Sequence, residues 1–187
     1  MADRISDQYP RAAQIIRHYE SVNQSGQPHL IPYEDIGGTW VAGYGRTVDK
    51  DRKEIPWTIE QSEVDLDTQI SEKLKEIDQL ERELPEGLTF TKSEKEALIP
   101  FLQNVGYTKL KGTRAMEALK RGDKRRFAFE LFDAEKGFTK GTDKEGRTTV
   151  LGGLVERRGR EGSLFYEERN IGGMVSRNPY PHNPRSI

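Results

Sequence analysis

The stretch from Ile31 to Thr47 constrains this chain more than any other. It reads Tyr33-Glu34-Asp35-Ile36-Gly37-Gly38-Thr39-Trp40-Val41-Ala42-Gly43-Tyr44-Gly45-Arg46-Thr47, with glycines at 37, 38, 43 and 45. Thr39, Trp40, Val41 and Tyr44 are strand formers, and glycine alone turns the backbone through positive φ without penalty. The pattern predicts a short hairpin with Gly37-Gly38 at its turn. Three carboxylates, Glu20, Glu34 and Asp35, precede it. Acids ahead of a tight glycine hairpin suit a two-carboxylate site at the lip of a cleft.

The rest of the chain reads mostly as helix. Ile5, Ala12, Ile15, Ile16, Tyr19 and Val22 make an apolar stripe for a first helix over 5–22, which Pro10 starts or kinks. Glu20 falls in its last turn, where the helix dipole disfavours a charged acid. Ser21 to Pro32, with Gly26 and Pro28, is a loop. Thr58-Ile59-Glu60-Gln61 is a capping box. Behind it, Val64, Leu66, Ile70, Leu74, Ile77, Leu80 and Leu84 predict one long amphipathic helix ended by Pro85-Glu86-Gly87. Thr91-Lys92-Ser93-Glu94 opens another helix, kinked at Pro100 and closed at Gly106. A short helix follows over 113–120, and Asp123 caps the next, to about Ala134. Gly137 to Gly153 is a long loop or small hairpin. A helix then runs to about Arg169. The tail 176–187, with Pro179, Pro181 and Pro184, is extended.

Composition narrows the function. The 187 residues carry a net charge of -1, which gives no bulk attraction to nucleic acid. There is no cysteine, so thiolate chemistry and disulfides are excluded. The three histidines, His18, His29 and His182, lack metal-site spacing. No apolar run is long enough to span a membrane, and the N-terminal residues lack a signal-peptide core. Delivery to any target outside the cytoplasm is therefore expected to depend on another system.

Three pieces in order resemble one family. Tyr33-x-Asp35-x-x-Gly38-x-x-x-x-Gly43-x-Gly45, preceded by Glu20, is similar to the phage-type lysozymes and endolysins, glycoside hydrolase family 24. Ala97-Leu98-x-x-Phe101-x-x-Asn104-Val105-Gly106 is similar to a second pattern of that family, and Gly153-Leu154-x-x-Arg157-Arg158-x-x-Glu161 to a third. The likeness covers residues 12–166, with an insertion between Glu20 and Asp35.

The resemblance implies an α+β, mostly α, lysozyme-like fold: one two-lobed domain over 1–175. A small β lobe (31–57) would be joined by a linking helix (58–84) to a helical lobe (88–170 plus the N-terminal helix). It implies a monomeric muramidase that needs no cofactor and cleaves the β-1,4 bond from N-acetylmuramic acid to N-acetylglucosamine in peptidoglycan. Glu20 would be the general acid and Asp35 the second carboxylate, with Glu34 its near competitor. Arg157 matches the arginine beside the catalytic glutamate, and Gln103 and Asn104 are placed to bind N-acetyl groups, with helix capping the rival role for Asn104. Trp40 and Tyr44 would stack on sugar rings or pack the small lobe.

Two departures stand out. The family's water-positioning threonine is Val41 here, with Thr39 and Thr47 as possible substitutes, and the family's Gly-x-Gly-His ends in Arg46. The loss at Val41 keeps two rival readings open: a catalytically weak or silent wall-binding module of a phage tail or secretion device, and a transglycosylase-type variant using Glu20 alone.

Overall fold

The structure is a computed structural model, and it describes residues 4–35, 38–142 and 147–167. The chain forms two compact units, Met1–Lys75 and Glu76–Ile187.

In the first unit the N-terminal stripe divides at Tyr9 into α1 (Ile5–Gln8) and α2 (Pro10–Tyr19). Proline at the first helical position costs no hydrogen bond, and its fixed φ starts the new helix there. Ala12, Ala13, Ile15 and Ile16 are the buried face of α2. The loop after α2 contains a 3-10 turn, Val22–Gln24. A three-stranded antiparallel sheet follows: β1 (His29–Glu34), β2 (Trp40–Gly43) and β3 (Arg46–Thr47), in the order β1-β2-β3. Tyr33 pairs with Val41, and Val41 with Thr47. The sheet thus begins two residues before the expected lobe boundary at Ile31. Gly38 has φ +80°, as a turn glycine should; Gly37 lies outside the described residues.

The capping box forms: the Thr58 N–H donates to the Gln61 side chain (2.8 Å) and the Gln61 N–H to the Thr58 hydroxyl (3.0 Å). From it runs α3 (Ile59–Glu81), which crosses the boundary between the units. The two N-terminal helices belong to the first unit, with the sheet. Ion pairs add to the buried apolar face of α2 in holding them there. Arg4 Nε bonds Asp67 (2.8 Å), the Ser6 N–H bonds the same carboxylate (2.9 Å), and Arg17 holds Glu63 (2.5 Å), so α1 and α2 are tied to α3.

These pairs predict an acid-sensitive first unit. Burial pushes the Glu63 carboxyl up, but Arg17, Tyr44 and Arg4 outweigh it and hold it below its ordinary value. Asp67 is likewise lowered against burial, by Ser6 and Arg4. A carboxylate whose folded value is depressed stabilises the fold above its unfolded value, and that contribution drains as pH falls through the folded one. The thermal midpoint should therefore decline below about pH 4–5. In the Glu63→Gln variant the acid limb should be shallower. An acid limb unchanged in that variant would remove Glu63 as a cause.

The second unit is helical: α4 (Lys92–Val105), α5 (Arg114–Lys120), α6 (Lys124–Phe132) and α7 (Gly152–Tyr166), with a hairpin of β4 (Lys140–Thr142) and β5 (Thr148–Val150). The capping box at Thr91 and Glu94 is complete, and Gly106 (φ +83°) closes α4. Asp123 caps α6 by accepting the Arg126 N–H (2.8 Å). Phe101, Phe127, Phe132 and Phe165 are fully buried and meet edge to face or tilted, Phe101 and Phe132 at 5.5 Å between centroids. Burying each such ring stabilises the unit by about 1.5–3 kcal/mol. The expected hairpin between 137 and 153 is present around the undescribed residues 143–146. The helix end near Arg169 and the tail lie outside the described residues.

Candidate active site

The glycine hairpin positions the acids through its backbone. Asp35 stands at the end of β1, where its N–H donates to the Thr39 carbonyl (2.8 Å) and its Oδ1 accepts the Thr39 N–H (2.8 Å). The side chain is therefore fixed at the turn, and Asp35 is exposed to water. This is an aspartate turn, with the short side chain closing the loop that its own residue opens. Thr39 contributes backbone groups to it. Glu34, one residue earlier, points its carboxylate towards Gly38, where an added Cβ would lie 3.8 Å from Glu34 Oε1.

Glu20 is the C-cap residue of α2, just past the last helical turn, and its N–H bonds the Ile16 carbonyl (2.9 Å). It is half-buried. Its carboxylate lies against the glycine bend after β2: a Cβ on Gly45 would stand 3.2 Å from Glu20 Oε2. Gly45 also has φ +81°, so both the backbone and the neighbouring acid require glycine there. Gly45→Ala should cost about 1–2 kcal/mol of backbone strain. It should also displace the carboxylate and lower, about tenfold or more, any activity that depends on it. Activity within twofold of the parent would show that the Glu20 carboxylate does not need that space.

Glu20 and Asp35 act on a common neighbour. Burial pushes the Tyr33 phenol above its ordinary value, and the charges of Glu20 and Asp35 both push the same way. Tyr33 is 41% exposed and meets His29 in a tilted ring contact, 4.4 Å between centroids; burial holds His29 below its ordinary value against the pull of Ser21 and Glu20. Strand β1 thus sets the His29 ring against Tyr33, whose phenol feels both acids. The sequence reading did not include His29 or Tyr33 in the site, although Tyr33 opens the family motif; the signal for His29 was its spacing of four from Tyr33.

The remaining site candidates separate. Val41 is buried, 8% exposed, so an apolar side chain fills the place of the family's threonine. Tyr44 corrects the sugar-stacking expectation. It is 1% exposed, and its hydroxyl donates to Glu63 (2.8 Å) with the Gly26 carbonyl 3.1 Å away. Burial and Glu63 push its phenol up to about 12, so it serves as a neutral internal donor. Trp40 remains half-exposed in β2 under Lys53 Nζ (5.2 Å). Arg46, at the family's histidine position, bonds Asp65 through Nε (2.6 Å) and reaches Glu72 (3.3 Å), which ties β3 to α3.

In the second unit Gln103 is half-buried in the last turn of α4. Asn104 does not cap that helix; its Oδ1 accepts Arg158 Nη2 (2.7 Å), and the cap falls to Gly106. Arg157 is 4% exposed, bonds Glu161 (3.2 Å) and donates to the Pro100 carbonyl (3.0 Å). Among the described residues no group of three His, Cys, Asp or Glu side chains could hold a metal ion, and no helix is long and apolar enough to cross a membrane.

Residues 24–161 match the family model for phage lysozyme, which is most of the chain. The chain belongs to the phage lysozyme family. It is a glycoside hydrolase by that membership, and the family's substrate is peptidoglycan. No curated protein sequence matches it. Among solved structures it is similar to the muramidase domain of SpmX from Asticaccaulis excentricus, with TM-score 0.64, 22% identity and coverage of 82% of this chain and 93% of that one. It is also similar to the endolysin from Escherichia coli O157:H7 phage FAHEc1 (0.63, 22%, 90% and 96%). The active form of the P1 phage endolysin Lyz gives 0.62, 21%, 85% and 84%. At these identities the likenesses establish a shared lysozyme fold, mostly helical with small antiparallel sheets. The family match begins at residue 24, so it does not cover Glu20.

Proposed function

We propose that this lysozyme hydrolyses the β-1,4 bond between N-acetylmuramic acid and N-acetylglucosamine, with Glu20 as general acid and Asp35 as second carboxylate. One observation carries the assignment: the glycine hairpin holds both acids, with the Thr39 N–H fixing the Asp35 carboxylate at one bend and Gly45 clearing the space in front of Glu20 at the next. Glu20 gives its proton to the leaving glycosidic oxygen as the bond to the anomeric carbon breaks. Asp35 faces the oxocarbenium-like centre and either holds the attacking water or stabilises the positive charge. The proton lost by water restores the acid pair. Asp35 suits that role because water and the Thr39 amide already solvate its carboxylate.

Digestion of purified peptidoglycan tests this. The products should carry new reducing ends on N-acetylmuramic acid, identified by mass spectrometry after borohydride reduction. Products with a 1,6-anhydro ring would assign the reaction to a transglycosylase instead.

A specific observation favours a second reading, a module that binds the wall without cutting it. Val41 is buried where the family has a hydroxyl, so this position offers the second acid an apolar side chain. Retention on intact sacculi with no soluble product would support that reading over the first.

A further inference from the structure

A cavity of about 650 Å³ opens in the first unit between β3, the 3-10 turn Lys50–Arg52 and the start of α3. Neither Glu20 nor Asp35 lines it. Its size is that of a small-molecule site. Its floor is apolar: Trp57, Ile55 and Val64, the latter two 50% and 57% exposed. Trp57 is seated by the backbone. Its N–H donates to the Leu30 carbonyl (2.6 Å), and its six-membered ring lies where a Cβ on Gly43 would meet it at 3.1 Å.

The charges around this floor select the ligand. Arg46 and Asp65 neutralise each other at 2.6 Å. Three charged groups remain, Arg52, Asp49 and Glu60, and none has a side-chain partner among the described residues. A strongly anionic ligand meets two carboxylates, and a strongly cationic one meets a guanidinium. A neutral ligand with hydroxyl and amide groups meets no like charge and can use all three. Gln61 adds a donor: its Oε1 is taken by the Thr58 N–H, so its NH₂ is left for a ligand. An aromatic plate ringed by ionised acceptors and amide donors suits a pyranose, which has an apolar face and a polar edge.

We propose that this cavity is a second saccharide site, separate from the catalytic acids, that binds an N-acetylated amino sugar of a glycan strand. The neutral-sugar argument stands on the lining alone; the N-acetylated class rests on the peptidoglycan reading above. Two attachment points on one strand would hold the enzyme on its polymer between cleavages.

The chain has two tryptophans, so two indole N–H signals report separately in a ¹H–¹⁵N spectrum, assigned with Trp40→Phe. Titration with the N-acetylglucosamine tetramer should shift the Trp57 signal with millimolar affinity. Thr68, an exposed cavity residue, provides a block that leaves Trp57 in place. In Thr68→Phe, with an unchanged thermal midpoint, the affinity read at Trp57 should fall about tenfold. The proposal is overturned by no shift at Trp57, by an undiminished shift in Thr68→Phe, or by a response only to free stem peptide. An equal response to a cello-oligosaccharide also overturns it. A chain that shifts at Trp57 but cuts nothing would lose the catalytic reading and keep this one.

Discussion

Replacing Glu20 by Gln should lower the turnover of purified peptidoglycan about a thousandfold, within the range that a positioned general acid contributes. The exchange keeps shape and hydrogen-bonding reach but removes the transferable proton. Since the leaving sugar oxygen departs poorly as an alkoxide, bond breaking then waits on protonation by water. The KM should change far less than kcat, because the lost interaction belongs to the transition state. Asp35→Asn sorts the mechanisms. If both carboxylates work, it should also reduce the rate by at least about a hundredfold. A variant Asp35→Asn that retains its rate beside a dead Glu20→Gln would leave Glu20 acting alone. Full turnover in Glu20→Gln, with circular dichroism showing an intact fold, would remove Glu20 from the chemistry.

Legibility in the sequence followed the range of the interaction. The capping boxes at Thr58 and Thr91, the Gly106 cap and the hairpin turn at Gly38 were readable because each is settled within about four residues. Asp35 was singled out by the glycine pattern beside it, and Glu20 only by the family resemblance. What could not be read was set by partners far along the chain. Tyr44 sits between two glycines at the bend from β2 to β3, which gives no sign that Glu63 takes its hydroxyl. Nothing near Arg4 or Arg17 in the sequence points to Asp67 and Glu63, which the fold pairs with them across 63 and 46 residues. The place of α1 and α2 beside the sheet follows in part from those same pairs. The aromatic floor around Trp57 also escaped notice, since its lining is gathered from three elements.

The third family pattern shows how a motif can carry fold and site chemistry together. Glu161 is fully buried and holds two guanidiniums: Arg157 Nε at 3.2 Å and Arg158 Nη1 at 3.0 Å. Arg158 is itself fully buried, lies 4.8 Å over the Phe101 ring and bonds Asn104, so α7 is fastened to α4 by charge as well as by packing. Glu161→Gln would leave two buried cations without their carboxylate. Breaking such a pair costs about 3–5 kcal/mol, far more than forming it contributes over an apolar alternative. At this chain length that is a fall of about 10 °C in thermal midpoint. Arg160 offers the contrast on the same helix. Its pair with Glu156 is exposed (2.8 Å), and Arg160→Gln should change stability by less than about 1 kcal/mol. Equilibrium urea unfolding of both variants reads the difference. A loss below about 1 kcal/mol in Glu161→Gln would mean that water or a shifted side chain already screens the two arginines, and that the pattern is kept for some task other than holding α7 in place.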